Sequence, residues 1–251
     1  MKSRIRLNVV ATVLALLSLL ATSAQAQEVT LNVSVNTYGC MAGTKTTADI
    51  RKAYVITGWQ VLDNAMLEDI TALDRAYGVN VPLYFLNDGS KNAFFVPLKF
   101  PRLIEADGGD PGMSITGSVF VDATLLKSEF EESKGSGMSI PAILGHEYAH
   151  AMQYANSFPY EGKWAELHAD YMAGWFIALR GIFRPQDPNR AWISISEKGD
   201  YNFFEKGHHG TPQERAEAFA TGFNLLRSGG QTSAANVYNY GLQYVRGKGA
   251  R

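Results

Sequence analysis

Two histidines and a glutamate with a distinctive spacing are the residues of this chain that most clearly indicate chemistry. His146, Glu147 and His150 stand in the order His-Glu-x-x-His. Residues four apart on an α-helix lie on one face, so the two imidazoles can bind one metal ion. The carboxylate after the first histidine then lies beside the open position of the metal, where it can accept a proton from water. The spacing therefore predicts a metal site with a general base next to it, although a surface helix with incidental histidines can carry the same pattern.

A catalytic metal site needs a third protein ligand, and the sequence offers two candidates shortly after His150. Glu166 and Asp170 are four residues apart, share a helix face and are flanked by small residues that let another helix approach. Glu166 can then reach the metal, and Asp170 can accept the second ring N–H of a ligating histidine. His168 lies about 200° away from Glu166 around the helix, so both cannot bind the same ion. We favour Glu166, because two histidines and one glutamate form a known catalytic set, and interpret His168 as a structural or surface histidine.

This ligand set predicts one zinc ion (Zn2+) per chain, bound by His146, His150 and Glu166, with Glu147 as the general base. The reaction that we favour is hydrolysis of a peptide bond in a peptide or protein substrate. Hydrolysis of another amide or ester of the cell envelope is a first alternative, and a non-catalytic zinc module for assembly or chaperoning is a second. Glu147 argues against the second alternative, because a structural zinc site usually has four protein ligands and no use for such a carboxylate.

Three ordered motifs extend the pattern along the chain. The first is residues 145–153 and the second is residues 165–174. The third consists of residues 199–200, 209–215, 219 and 222–223. A strand-like segment at residues 117–122 precedes the first motif. Together they resemble the bacterial neutral zinc metallopeptidases, relatives of the gluzincins, which are the zincins with glutamate as third ligand. The resemblance covers roughly residues 117–223. It implies a zincin fold, ligand roles for His146, His150 and Glu166, and a base role for Glu147.

Two further histidines, His208 and His209, precede a segment that has the sequence pattern of a helix start. A donor to the oxyanion of the tetrahedral intermediate is a common requirement of hydrolytic sites, and either histidine could supply it. In the alternative interpretation, His209 anchors its loop to the helix that Thr211 caps. Thr211, Pro212 and Glu214 form the capping-box pattern with proline at the first helical position.

The spacing of apolar residues predicts one α+β domain over residues 27–251, with strands first and a mostly helical C-terminal half. The resemblance implies a zincin-like metallopeptidase domain, in which a small mixed sheet packs on the active-site helix. Strands are predicted over residues 79–86, 93–98 and 115–125, where Val, Phe and Tyr are frequent. Helices are predicted over residues 46–77, 139–154, 162–179 and 232–245 and from Thr211 onward, with a helical turn near 189–194.

Residues 1–26 have the three parts of a secretory signal peptide. Lys2, Arg4 and Arg6 precede an apolar stretch at 7–21, and a small-residue cleavage pattern ends at Ala26. The apolar stretch is too short to span a bilayer comfortably, since a span needs about 20 residues. We therefore expect an exported protein, periplasmic or secreted, with no membrane anchor after cleavage.

The remaining 251 − 26 = 225 residues suffice for one domain with a substantial core. Removing the three basic residues of the leader changes 23 Lys and Arg against 24 Asp and Glu to 20 against 24, a net charge of about −4. A mildly acidic chain without a basic cluster gives no reason to expect a nucleic-acid partner. The single cysteine, Cys40, cannot form an internal disulfide, and we expect it to be buried.

We predict that the mature protein begins at Gln27 and is recovered from the periplasm or the medium, because the leader has the pattern that a signal peptidase cleaves. N-terminal sequencing of the protein from separated cell fractions measures this. A membrane-bound chain that retains residues 1–26 would contradict the prediction.

Overall fold

The computed structural model describes residues 28–38, 45–54, 56–100, 114–132, 137–181, 187–197, 199, 208–229 and 233–250. The predicted signal peptide and Cys40 lie outside these residues. Among the helices in the described part of the chain, none is long and apolar enough to cross a membrane.

Five strands form one mixed sheet in the order β1-β2-β3-β5-β4. The strands are β1 (Glu28–Tyr38), β2 (Lys45–Tyr54), β3 (Leu83–Leu86), β4 (Ala93–Val96) and β5 (Ser118–Asp122). Strands β3 and β5 are parallel, with Leu83 opposite Val119, and the other neighbours are antiparallel. The prediction of a small mixed sheet is confirmed, and β3, β4 and β5 lie within or largely within the three predicted strands.

Seven helices occupy most of the remaining described residues. They are α1 (Gln60–Tyr77), α2 (Ala123–Glu132), α3 (Ser139–Ala155), α4 (Lys163–Arg180), α5 (Asp187–Glu197), α6 (Pro212–Arg227) and α7 (Ala234–Gly247). The predicted bounds of α3, α4 and α7 and the predicted start of α6 agree with the structure to within a few residues, and the mostly helical C-terminal half is confirmed. Helix α5 is a full helix where only a turn was predicted, and α2 was not predicted.

The predicted helix over residues 46–77 is wrong in its first part. Residues Lys45–Tyr54 form β2, which pairs with β1 along its length, from Glu28 opposite Tyr54 to Tyr38 opposite Lys45. Gly58 then has a positive φ of 80°, a conformation that ends any continuous element. The helix begins only at Gln60. Hydrogen bonds to β1, which are not local in sequence, outweigh the helix-like spacing of the apolar residues.

Helix α3 lies at the centre of the domain. Fourteen of its seventeen residues are buried, whereas a helix on the surface buries only one stripe. The main hydrophobic core includes Ile143 and Tyr148 of α3, Phe176 of α4 and Val121 of β5. The hydroxyl of Tyr148 also donates a 3.0 Å hydrogen bond to the backbone carbonyl of Val81. The helix that carries the His-Glu-x-x-His motif is therefore held from several sides.

Glycines allow α4 and α6 to pack with their backbones in contact. A Cβ atom on Gly174 of α4 would overlap the backbone carbonyl of Phe219, and one on Gly222 of α6 would overlap the carbonyl of Tyr171. These contacts set the short distance between the two helices.

We predict that Gly174→Ala lowers the free energy of unfolding by at least about 2 kcal/mol, since the added methyl group must push α6 away. Urea unfolding measures the change. Gly247→Ala is the matched control, because a Cβ atom added to that helical glycine would have no neighbouring atom within 4 Å and should be neutral or slightly stabilising. Equal stability of the two variants would contradict the close packing of α4 on α6.

Candidate metal centre

Helix α3 brings His146 and His150 together on its surface that faces α4. Their Nε2 atoms are 3.1 Å apart, and the two rings meet edge to face with centroids 4.7 Å apart. One turn of helix separates the residues, as the spacing predicts. His146 is buried, and the side chain of His150 is 14% exposed, so the centre has an opening on the His150 side.

Helix α4 adds Glu166 to this pair. One carboxylate oxygen, Oε2, is 3.2 Å from His146 Nε2, and the other, Oε1, is 3.4 Å from His150 Nε2. These three side chains form a group that could hold a metal ion. Glu166 thus lies where the sequence predicts the third ligand.

Glu147 is fully buried on α3, immediately after His146. It is not one of the three side chains that converge as a candidate ligand group within the described chain. Its position about 100° around the helix from His146 places it on the flank of the ligand face. This placement is compatible with a role beside a metal ion and outside its ligand set.

Asp170 orients the first imidazole. Its Oδ1 accepts a 2.8 Å hydrogen bond from Nδ1 of His146, and Asp170 is fully buried. The expected contact between this carboxylate and a histidine of the candidate ligand group is therefore confirmed. With its proton on Nδ1, His146 can present the Nε2 lone pair to a metal ion.

Arg215 of α6 is a residue of the centre that spacing alone did not identify. It is 1% exposed, and its Nε and Nη2 atoms each donate a 2.8 Å hydrogen bond to Asp170. The same Nη2 lies 3.8 Å from Oε2 of Glu166. A buried guanidinium so placed balances part of the negative charge and fixes the plane of the Asp170 carboxylate. Its signals in the sequence were its position directly after the capping box and its place in the third motif, residues 209–215.

The carboxylates dominate the electrostatics of the centre. Burial lowers the pKa of His146, but Asp170 and Glu166 outweigh this effect and raise it to about 10. Burial raises the pKa of Glu166, whereas His150 and His146 lower it, with a net value below the ordinary range. Burial likewise raises the pKa of Asp170, and Arg215 then lowers it below its ordinary value. The Glu166 and Asp170 carboxylates are therefore ionised at neutral pH and are balanced by Arg215 and protonated His146, so a metal ion competes with a proton for His146 Nε2.

His168 points away from the candidate ligands. It is fully buried, and its Nε2 donates a 3.0 Å hydrogen bond to the carbonyl of Tyr238 on α7. Burial lowers its pKa to about 4, so the ring is neutral. The expectation that His168 has a structural position is confirmed, and the position is in the core, not on the surface.

Two more histidines lie just before the start of α6, and one of them, His209, acts on the centre. The predicted capping box is confirmed, because Glu214 N donates to Thr211 Oγ1 and Thr211 N donates to Glu214 Oε2. Gly210, with φ 90°, makes the turn into this helix. His208 and His209 just before it are buried. Burial raises the pKa of Glu166, the two histidines of α3 lower it, and His209 lowers it further, which places His209 within electrostatic reach of the centre.

We predict that Arg215→Met lowers the free energy of unfolding by about 3–5 kcal/mol, because the buried Asp170 carboxylate loses its guanidinium partner. Lys163→Met is the matched control: it removes a partly exposed 3.0 Å ion pair with Glu214 and should cost less than about 1 kcal/mol. Urea unfolding of both variants measures the two changes in the free energy of unfolding. Similar losses in the two would show that Arg215 does not stabilise the Asp170 carboxylate.

Comparison with known proteins adds no relative. No protein-family model matches the chain, no curated protein matches it, and no solved structure matches it. The function is therefore inferred from the residues of the chain and from their geometry.

Proposed function

We propose that this chain is an exported zinc metallopeptidase with a zincin-like fold. One observation carries the proposal: the Nε2 atoms of His146 and His150 and the carboxylate of Glu166 converge, while a fourth side chain, that of Glu147, lies on the flank of the same helix face. Three convergent ligands and an adjacent carboxylate suit a catalytic metal better than a structural one, which usually has four protein ligands.

Zinc is the metal that this donor set favours. Two imidazole nitrogens and one carboxylate oxygen are typical of catalytic zinc sites. With bonds of about 2.0–2.1 Å, the donor atoms of a tetrahedral zinc site lie about 3.3–3.4 Å from one another. The 3.1 Å separation of the two Nε2 atoms and the 3.2 Å separation of His146 Nε2 from Glu166 Oε2 are close to this value, and His150 Nε2 lies 3.4 Å from the other oxygen, Oε1. Little rearrangement would be needed to hold the ion.

The residues of the chain have separate tasks in the proposed hydrolysis. A bound zinc ion supplies Lewis-acid chemistry, which polarises a carbonyl group and lowers the pKa of water. Glu147 accepts the proton of the attacking water and passes it to the nitrogen of the leaving amine. Asp170 keeps the proton of His146 on Nδ1 and so keeps its Nε2 available as a ligand. Hydrolysis adds one water molecule across the peptide bond, and Glu147 moves the proton from that water to the leaving nitrogen.

His209 is our candidate for a hydrogen-bond donor to the oxyanion that forms during this reaction. Its burial and its electrostatic effect on Glu166 support a position at the rim of the centre. The proposal of a peptidase does not depend on this assignment, because the alternative interpretation, in which His209 anchors its loop, leaves the metal ligands and Glu147 unchanged.

The motifs and the leader provide further support. The three motifs that resemble those of the neutral zinc metallopeptidases include all four of His146, Glu147, His150 and Glu166. The mixed sheet next to a buried motif helix is compatible with a zincin-like fold. The signal-peptide pattern of residues 1–26 supports export.

We predict that Glu147→Gln lowers the rate of peptide hydrolysis by at least about 100-fold while one zinc ion per chain is retained. Glutamine keeps the volume and can still form hydrogen bonds, but it cannot accept and relay the proton at neutral pH. The measurement is cleavage of a peptide library, followed by mass spectrometry, together with metal analysis of the same preparation.

Glu166→Gln is the comparison variant in the same experiment. It makes the same change from carboxylate to amide in a proposed ligand, and it should lose most of its zinc. The parent protein should lose activity with a chelator and regain it with zinc. Parental cleavage rates in zinc-loaded Glu147→Gln would refute the general-base assignment. A zinc-loaded parent that cleaves no peptide would refute the peptidase proposal, and unchanged biological activity of Glu147→Gln would favour the assembly or chaperone module.

A further inference from the structure

The second imidazole of the centre, His150, has its own partner on α3. Its Nδ1 atom lies 2.8 Å from Oε1 of Gln153, three residues further along the helix. The Gln153 side chain is buried, with 6% of the residue exposed. Asp170 has no part in this contact, so the two imidazoles are oriented by different groups.

The orientation of the Gln153 amide follows from a backbone group of α4. Its Nε2 atom lies 2.8 Å from the carbonyl oxygen of Ala165, and a carbonyl oxygen can only accept. The group that faces Ala165 must therefore be the NH2, and Oε1 must face His150. Because Oε1 can only accept, the proton of His150 is on Nδ1. The Nε2 lone pair then faces the other candidate ligands.

The second hydrogen of the Gln153 amide extends this network to α7. Gln153 Nε2 is 3.1 Å from Nδ1 of His168, and His168 Nε2 is 3.0 Å from the carbonyl oxygen of Tyr238. Since that carbonyl only accepts, His168 carries its proton on Nε2 and accepts from Gln153 through Nδ1. The backbone carbonyls of Ala165 and Tyr238 end the network as acceptors, so every donor and acceptor from His150 to Tyr238 has one consistent assignment.

Packing leaves the His168 ring little freedom to turn. Its centroid is 4.5 Å from that of Phe158 and 4.7 Å from that of Tyr238. Helix α7 approaches closely because of Gly241, where a Cβ atom would be 2.9 Å from Cδ2 of the imidazole. A ring held on both sides offers Gln153 an acceptor at a fixed point.

We propose that Gln153 and His168 are positioning residues for the metal centre: they hold His150 in the tautomer whose Nε2 binds the metal, and they link that ligand to α7 through the Tyr238 carbonyl. This inference rests on the proposed function, because it takes His150 as a zinc ligand. Hydrogen bonds to the far nitrogen of a ligating histidine fix its tautomer and ring orientation, and their loss weakens metal binding by about 10- to 100-fold.

The test measures the zinc dissociation constant of the folded protein by competition with a chromogenic chelator. Gln153→Met keeps the length of the side chain and removes both its donor and its acceptor, so we expect affinity to fall by about 10- to 100-fold. His168→Leu should weaken zinc binding less than Gln153→Met. His168→Asn should keep most of the zinc affinity that His168→Leu loses, because the Oδ1 atom of asparagine can accept from Gln153 near the place of the histidine Nδ1.

A second readout separates positioning from general stability. In zinc-loaded protein with labelled histidine, nitrogen–proton NMR should show a slowly exchanging Nδ1–H on His150, which exchanges faster in Gln153→Met. Tyr148→Phe is the matched control, since it removes another buried side-chain hydrogen bond of α3, to the carbonyl of Val81. That variant should lose stability and keep the parental zinc affinity and the slow His150 proton.

Two results would overturn the inference: a parental zinc affinity in Gln153→Met, or equal affinities in His168→Leu and His168→Asn. Should Gln153→Met not fold, the two His168 variants decide alone. A parent protein that binds no zinc refutes the proposed function itself. If the parent binds zinc and Gln153→Met binds it equally well, the inference is refuted and the proposed function is not.

Discussion

The buried carboxylate of Asp170 is the group on which the arrangement of the centre depends. It accepts hydrogen bonds from His146 on α3 and from two nitrogens of Arg215 on α6, while its own backbone belongs to α4. Removal of a carboxylate from water costs on the order of several kcal/mol unless such partners replace its hydration. Three helices must therefore meet at this point, and the candidate ligand His146 is oriented by the same contact that stabilises their packing.

Small residues make that meeting possible. Gly145 of α3 lies against α4, where an added Cβ would be 3.5 Å from the Cα of Ala173, and Gly174 and Gly222 remove side chains from the contact between α4 and α6. Hydrogen bonds of 2.8 Å to Asp170 require backbones at short distances, because the side chains involved have fixed lengths. The glycines thus determine how close the helices lie, and the polar groups determine their register.

Much of the fold could be predicted from the sequence where the signal was local. The capping box at Thr211 and Glu214 was confirmed, because its hydrogen bonds join residues three positions apart. The hairpin of β1 and β2 was missed, and Lys45–Tyr54 was assigned to a helix. Its apolar residues have a spacing compatible with a helix, and the strand exists because β1 and β3 supply hydrogen bonds from other parts of the chain. Such pairing has no signature in a single segment.

The sequence by itself determined the candidate ligands of this protein: His146 and His150 share a helix face by their spacing, and Glu166 and Asp170 share another for the same reason. The four-residue period of the α-helix is a local property, so it can be read before any packing is known. Only the tertiary structure decided that Arg215 balances Asp170, and that Gln153 and His168 connect His150 to the Tyr238 carbonyl. All but the contact of His150 with Gln153 join different helices, so they depend on which faces pack together and how closely.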